Sequence, residues 1–243
     1  MPILSIDNYR KTENLLAGIY QVRQAPWWLP TGIVSSNVIA AYQFKGAIDE
    51  ANALLNVNDT STYPLTKVGS TVTWNQSTGF YIPATLGYGL NNASITSFSS
   101  VFARFSDAAN GDYYSVIVSP ALGYTLMAKA AYDYGGGKYR NSVGIADYTS
   151  NPGTGYYGAT YYSYGVLGWN RDSRLVYVNG VSQSLTGFEN AYIANPTYIL
   201  IGQGRTSTAI TSLAAYNLQA VVFYNTQLTA DQVVQLSSSM AAL

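Results

Sequence analysis

The chain contains no cysteine and no histidine. Those two absences exclude disulfides, thiol nucleophiles, imidazole general bases and Ser-His-Asp triads, together with most zinc and iron sites. Charge is scarce too. Asp, Glu, Lys and Arg make up 10% of the 243 residues, against roughly a quarter in ordinary soluble proteins. The twelve basic and twelve acidic side chains cancel, so no electrostatic footprint for nucleic acid is present. Long apolar runs are missing as well, and none approaches the ~20 residues of a membrane helix. Within Met1 to Tyr20, Asp7, Arg10, Lys11 and Glu13 interrupt the apolar stretch that a secretory signal requires. The expectation is a protein with no nucleic-acid partner, no membrane insertion and no export by a standard signal.

What fills the composition instead is 22 Gly and 23 Tyr, with abundant Ser, Thr and Asn. Such a chain makes strands, turns and an uncharged, adhesive surface of the kind that meets ligands outside cells. Its length suits a single large all-β domain that buries about 70–75% of its unfolded surface.

Residues 1–34 differ from the rest. Ser5 or Asp7 is placed to cap a helix running to about Val22, with Tyr9, Leu16 and Tyr20 near one face. Pro26 ends it, and Trp27-Trp28-Leu29-Pro30 follows as an extended aromatic segment. Two readings stay open for this arm: a helix packed on its own domain, or an arm that docks on a partner or on copies of itself through Tyr9, Leu16, Tyr20, Trp27 and Trp28. Adjacent tryptophans carry on the order of 200 Å² each of mostly apolar surface, which is costly to leave in water.

From Ser35 the pattern is that of short strands. Val38–Phe44, Gly79–Ile82, Ser99–Phe105, Arg174–Val178, Tyr198–Gly202 and Leu218–Tyr224 are strand segments. Tyr113–Val118 and Tyr124–Ala130 pair as an antiparallel unit, and Val101, Ala103 and Phe105 alternate against Phe102 and Arg104. Asn179-Gly180 signals a type I′ hairpin. Thr229 with Gln232 matches a capping box, so a short helix is expected over Ala230–Met240. About a dozen strands and little helix predict a sandwich or jelly roll.

Motifs of enzymes are weak. Glu13, Glu50 and Glu189 are the only glutamates, and none has an acidic partner on the same strand face, whereas glycosidases need a carboxylate pair. Gly153-Thr154-Gly155-Tyr156-Tyr157-Gly158 matches the dinucleotide fingerprint in letters, yet no apolar strand precedes it and no helix follows; it is expected to be a loop. Asp107, Asn110 and Asp112 surround a glycine turn but lack the closing glutamate of a calcium loop, so no cofactor is expected and calcium is a minor alternative. Three sequons, at Asn58, Asn75 and Asn92, are expected to be chance.

The informative segment is Tyr132 to Tyr164, with nine tyrosines. Tyrosine offers a flat face and a polar tip at modest entropy cost. Tyr132, Tyr134, Tyr139, Tyr156, Tyr157, Tyr161 and Tyr162, with Arg140 and Asn141, are candidates to stack on and bond a sugar. The competing reading is that they pave a sheet or a subunit interface.

The C-terminal third is similar to the closing strands of concanavalin A-like, laminin-G-type jelly rolls. The residues that carry this are Arg174–Val181, Tyr198–Gly202 and Leu218–Val233, with a Tyr-Val-Asn-Gly hairpin, an Ile-Gly strand and a Tyr-Asn-x-x-Leu-Thr passage into a short helix. Asn37–Gly46, after Trp28–Ile33, resembles the start of such domains in tailed-phage virion proteins. The resemblance covers 35–243 and implies an all-β jelly-roll sandwich of two antiparallel sheets with a short C-terminal helix. The glucanase branch's Glu-x-Asp-x-x-Glu strand does not occur. The resulting expectation is a non-enzymatic virion protein: a head fibre, decoration or tail-associated adhesin assembled in the host cytoplasm and released by lysis. Its partners would be other virion proteins, further copies of itself and a host glycan. The alternatives are a free bacterial carbohydrate-binding module and a glycan hydrolase using Asp133, Asp147 or Asp172.

Overall fold

A computed structural model describes residues 26–85, 87–107, 113–119, 124–129, 142–147, 154–157, 164–183, 199–202 and 215–243, of which 113–119, 124–129, 142–147 and 154–157 are described as backbone strands. Two antiparallel sheets form a jelly-roll sandwich. The first contains β1 (Val38–Gln43), β3 (Thr73–Asn75), β4 (Gly79–Ile82), β6 (Ser100–Ser106), β11 (Gly165–Asn170), β12 (Leu175–Val178), β13 (Val181–Gln183) and β15 (Tyr216–Tyr224). Their order is β13-β12-β11-β6-β15-β4-β3. The free edge of β15 is shared, with Tyr216–Leu218 on β4 and Ala220–Tyr224 on β1.

The second sheet has the order β10-β9-β8-β7-β14-β5-β2. Its members are β2 (Thr66–Val68), β5 (Gly89–Asn92), β7 (Tyr113–Ser119), β8 (Tyr124–Lys129), β9 (Ser142–Asp147), β10 (Thr154–Tyr157) and β14 (Ile199–Gly202). The helices are the single turn α1 (Glu50–Ala53), capped by Asp49, and α2 (Ala230–Ala241). Thr229 and Gln232 make the expected capping box on α2. Among the described residues no helix is long and apolar enough to cross a membrane.

The central strands of the first sheet are buried on both faces, which explains the apolar run Ala220–Tyr224 at the end of β15. One cluster lies between the sheets and takes Val101, Ala103 and Phe105 from β6, Leu167 and Trp169 from β11, and Ile199 and Ile201 from β14. A second lies on the outer face of the first sheet and takes Phe102, Val222 and Tyr224, covered by Val233, Leu236 and Met240 of α2. The alternation along β6 therefore separates two cores rather than a core from solvent. Burying those three helix side chains contributes about 1.5–3 kcal/mol each.

Gln219 interrupts the alternation of β15. Tyr216 and Leu218 face the inner cluster, but beyond the bulge the inner residues become Val221 and Phe223. One extra residue swaps the faces. The bulge is pinned because the Gln219 carbonyl accepts from the amides of both Phe44 and Lys45, at 2.9 and 3.0 Å.

Several buried polar side chains are paired. Asn170 donates to the Leu228 carbonyl at 2.8 Å and accepts from the Ser100 hydroxyl at 2.7 Å, tying the passage between β15 and α2 to the sheet. The sequon asparagines serve structure. Asn92 is buried, donates to the Pro64 carbonyl and accepts from the amides of Ser94 and Ile95. Asn75 closes a turn with Ser77, and Asn58 donates to the carbonyls of Ser35 and Val38.

Candidate functional site

Several of the residues singled out in the sequence lie outside the described residues: Tyr9, Leu16, Tyr20, Tyr132, Tyr134, Tyr139, Arg140, Asn141, Tyr161 and Tyr162. Tyr156 and Tyr157 lie in β10, the last strand of the second sheet, opposite Ile145 and Gly144 of β9. The expectation of a loop there is thus corrected for Thr154–Tyr157. Thr and Tyr favour an extended, pleated backbone, and that preference outweighs the flanking glycines. Trp27 and Trp28 sit half-buried against the outer cluster of their own chain. Their rings meet edge to face at 5.5 Å. The Trp27 indole donates to Gln43 Oε1 at 3.0 Å, and the Trp28 carbonyl accepts from the Tyr224 hydroxyl at 2.9 Å. Burial pushes that hydroxyl's pKa well up.

The carboxylates named for hydrolysis are dispersed. Asp172 stands 3.5 Å from the Arg171 guanidinium on the surface, Asp147 belongs to β9, and Asp133 lies outside the described residues. Glu50 is ion-paired with Lys67 at the surface. Among the described residues no three His, Cys, Asp or Glu side chains gather to hold a metal.

Functional groups converge at the C-terminal end of α2. A cavity of about 530 Å³ opens there between the helix and the ends of β6, β11 and β15, within the ~300–1,000 Å³ usual for small-molecule sites. Arg104, Asp107, Tyr164, Gln219 and Ser237 line it. Each is held by its backbone. Arg104 is on the outer face of β6, half-buried, and its guanidinium donates to the Met240 carbonyl in the last turn of α2. A cation is favoured at that end of a helix. Burial lowers its pKa, but the group remains protonated. Asp107 follows β6 with φ 54°, and its Oδ2 accepts from Asn217 at 2.9 Å and Ser106 at 2.8 Å. Those two hydrogen bonds hold the carboxyl below its ordinary range, so it is ionised at neutral pH.

Gln219 enters the cavity because of the bulge. Its amide nitrogen donates to Ser106 Oγ at 2.9 Å, whereas Oε1 receives no hydrogen bond among the described residues. Ser237 Oγ is likewise unpartnered. The two residues are 6% and 5% exposed, so each unpaired atom costs roughly 1–3 kcal/mol. The opposite wall is built by the hairpin. Asn179 and Gly180 have φ 49° and 85°, as a type I′ turn requires, and Asn179 Oδ1 accepts from the Val166 amide at 2.8 Å. Gly165, at φ 140°, leaves room for it, since a Cβ there would stand 2.4 Å from that oxygen. Tyr164 is 69% exposed at the mouth. It is also the last of the nine tyrosines in the sequence segment 132–164.

A scan against protein-family models finds no match, and a search of curated proteins finds none either. Solved structures do match. The receptor-binding domain of botulinum neurotoxin type G aligns with a TM-score of 0.54 at 13% identity, over 84% of this chain and 51% of that one. A structure of botulinum neurotoxin type C aligns with a TM-score of 0.57 at 10% identity, over 85% and 52%. The binding domain of Paraclostridial Mosquitocidal Protein 1 aligns with 0.55 at 9%, over 84% and 52%. The chain thus spans about half the length of these structures, and at such identities the likeness is one of fold: a jelly-roll β-sandwich.

Proposed function

We propose that the chain is a non-catalytic recognition domain that binds a cell-surface glycan in the cavity at the end of α2. It would be carried on a bacteriophage particle among other virion proteins, as a head fibre, decoration or tail-associated protein. The observation that carries the binding reading is the convergence, in one cavity, of buried and unpartnered Gln219 Oε1 and Ser237 Oγ, a charged donor, a charged acceptor and the exposed Tyr164 ring. A sugar meets all of these demands at once, because its hydroxyls both donate and accept and its ring face is apolar. The structural neighbours support a recognition role. Among them is botulinum neurotoxin type C, which enters cells in a manner dependent upon interaction with two ganglioside molecules. The particle setting is supported by the resemblance of residues 28–46 to virion domains.

A glycan array probed with the full chain tests the binding reading. Signal is expected with calcium or with chelator alike, and Tyr164→Ala should weaken it by about tenfold, or ~1.4 kcal/mol. An array silent at high protein concentration would overturn the reading. For the setting, antibodies to the chain should label purified phage particles. Labelling confined to the cell envelope would favour a free bacterial module.

A further inference from the structure

Resting on that reading, we infer that the cavity selects an uncharged sugar bearing an N-acyl amino group over neutral sugars that lack one and over acidic and basic sugars. Charge decides the first part. Arg104 and Asp107 bring one charge of each sign into the same cavity, and no ion pair joins them among the described residues. An acidic sugar would meet the Asp107 carboxylate and the carbonyl end of α2, which carries partial negative charge. A basic sugar would meet the Arg104 guanidinium. A neutral ligand meets neither penalty.

Hydrogen-bond polarity decides the second part. The buried unpartnered side-chain atom on β15 is an acceptor, Gln219 Oε1, so the ligand must present a donor to it. In the register of the sheet Leu218 faces Phe105 and Ala220 faces Arg104, so the bulged Gln219 falls beside Arg104 on the neighbouring strand. The cavity therefore sets a buried acceptor next to a charged donor. A secondary amide offers the complement on adjacent atoms: its N–H donates to Gln219 Oε1 and its C=O accepts from Arg104. A lone hydroxyl satisfies one of the two more easily than both. Val166 and Ala241, which also line the cavity, give the acyl methyl an apolar wall. Ser237 Oγ and Asp107 are left for ring hydroxyls.

The test is calorimetric titration of the full chain with N-acetylglucosamine, glucose, glucosamine and glucuronic acid at neutral pH and fixed salt. The N-acetyl sugar should bind at least tenfold tighter than each of the others. Its amide shifts by nuclear magnetic resonance should centre on Gly165, Val166 and Ser237. Gln219→Met keeps the length of the side chain and removes the acceptor, so it should bring the N-acetyl sugar down to the level of glucose. Equal affinity for glucose, or tighter binding of glucuronic acid, would overturn this inference and leave glycan recognition standing. No binding by any saccharide, on this panel or on the array, would overturn the reading beneath it. The four-sugar comparison needs no variant, so a failure of Gln219→Met to fold would not remove the test.

Discussion

At the scale of single residues, what separates asparagines of equal chemistry is burial. Asn170 is 2% exposed, and it closes a three-way contact between Ser100, Leu228 and the Tyr177 hydroxyl. Asn75 makes two short bonds to Ser77, at 2.8 and 2.6 Å, but does so in water. Removing the buried side chain leaves the Leu228 carbonyl unpaired and opens a void, whereas water replaces the exposed one. Asn170→Ala is therefore expected to cost about 2–3 kcal/mol and Asn75→Ala less than about 1 kcal/mol. Urea titrations of both variants, with unchanged slopes, check this. Equal losses would mean that the Asn170 network adds nothing beyond a surface turn.

At the scale of elements, the sequence was readable wherever local chemistry and tertiary demand agree. The Asn179-Gly180 turn, the capping box of Thr229 and Gln232, and the apolar strands Val38–Gln43, Gly79–Ile82, Ser100–Ser106 and Tyr216–Tyr224 are such places. The short strands Thr66–Val68 and Gly89–Asn92 were not legible, because the residues of Gly89–Asn92 have little strand preference of their own. Their place comes from pairing. Gly89 lies opposite Gly202, where a Cβ would stand 2.4 Å from the Ile201 carbonyl. The cavity was not legible: Tyr164 counts among the nine tyrosines of 132–164 but is not one of the residues singled out to meet a sugar. Gln219 reads as one of two polar letters, with Asn217, in an otherwise apolar strand, and nothing in the letters marks the bulge at Gln219. Arg104, Asp107, Asn179 and Ser237 are dispersed along the chain and are joined only by sheet register and by the return of α2.

At the scale of the whole molecule, the outer face of the first sheet has two covers, and they hold each other. Residues 26–34 lay Trp27, Trp28, Leu29 and Ile33 on the same cluster that receives Val233, Leu236 and Met240 of α2. Thr31 joins the two directly: its amide donates to Gln235 Oε1 at 3.0 Å, and its carbonyl accepts from Gln232 Nε2 at 3.1 Å. Neither cover can lift without exposing apolar surface of the other, so the two should open as one cooperative unit. Hydrogen exchange reads this through amides that are bonded in each cover. Leu29 and Ile33 donate to the carbonyls of Pro26 and Pro30 at 2.8 and 2.9 Å, and Val233 donates to Thr229 at 2.9 Å. These amides should share one opening free energy, and Trp28→Ala should lower it for all of them together. Exchange of Leu29 and Ile33 more than a hundredfold faster than that of α2, with α2 unmoved by Trp28→Ala, would show two independent flaps. Coupling has a consequence for recognition, because the last turn of α2 also holds Arg104 at the cavity. A pull on residues 26–34 would then reach the cavity through a single helix.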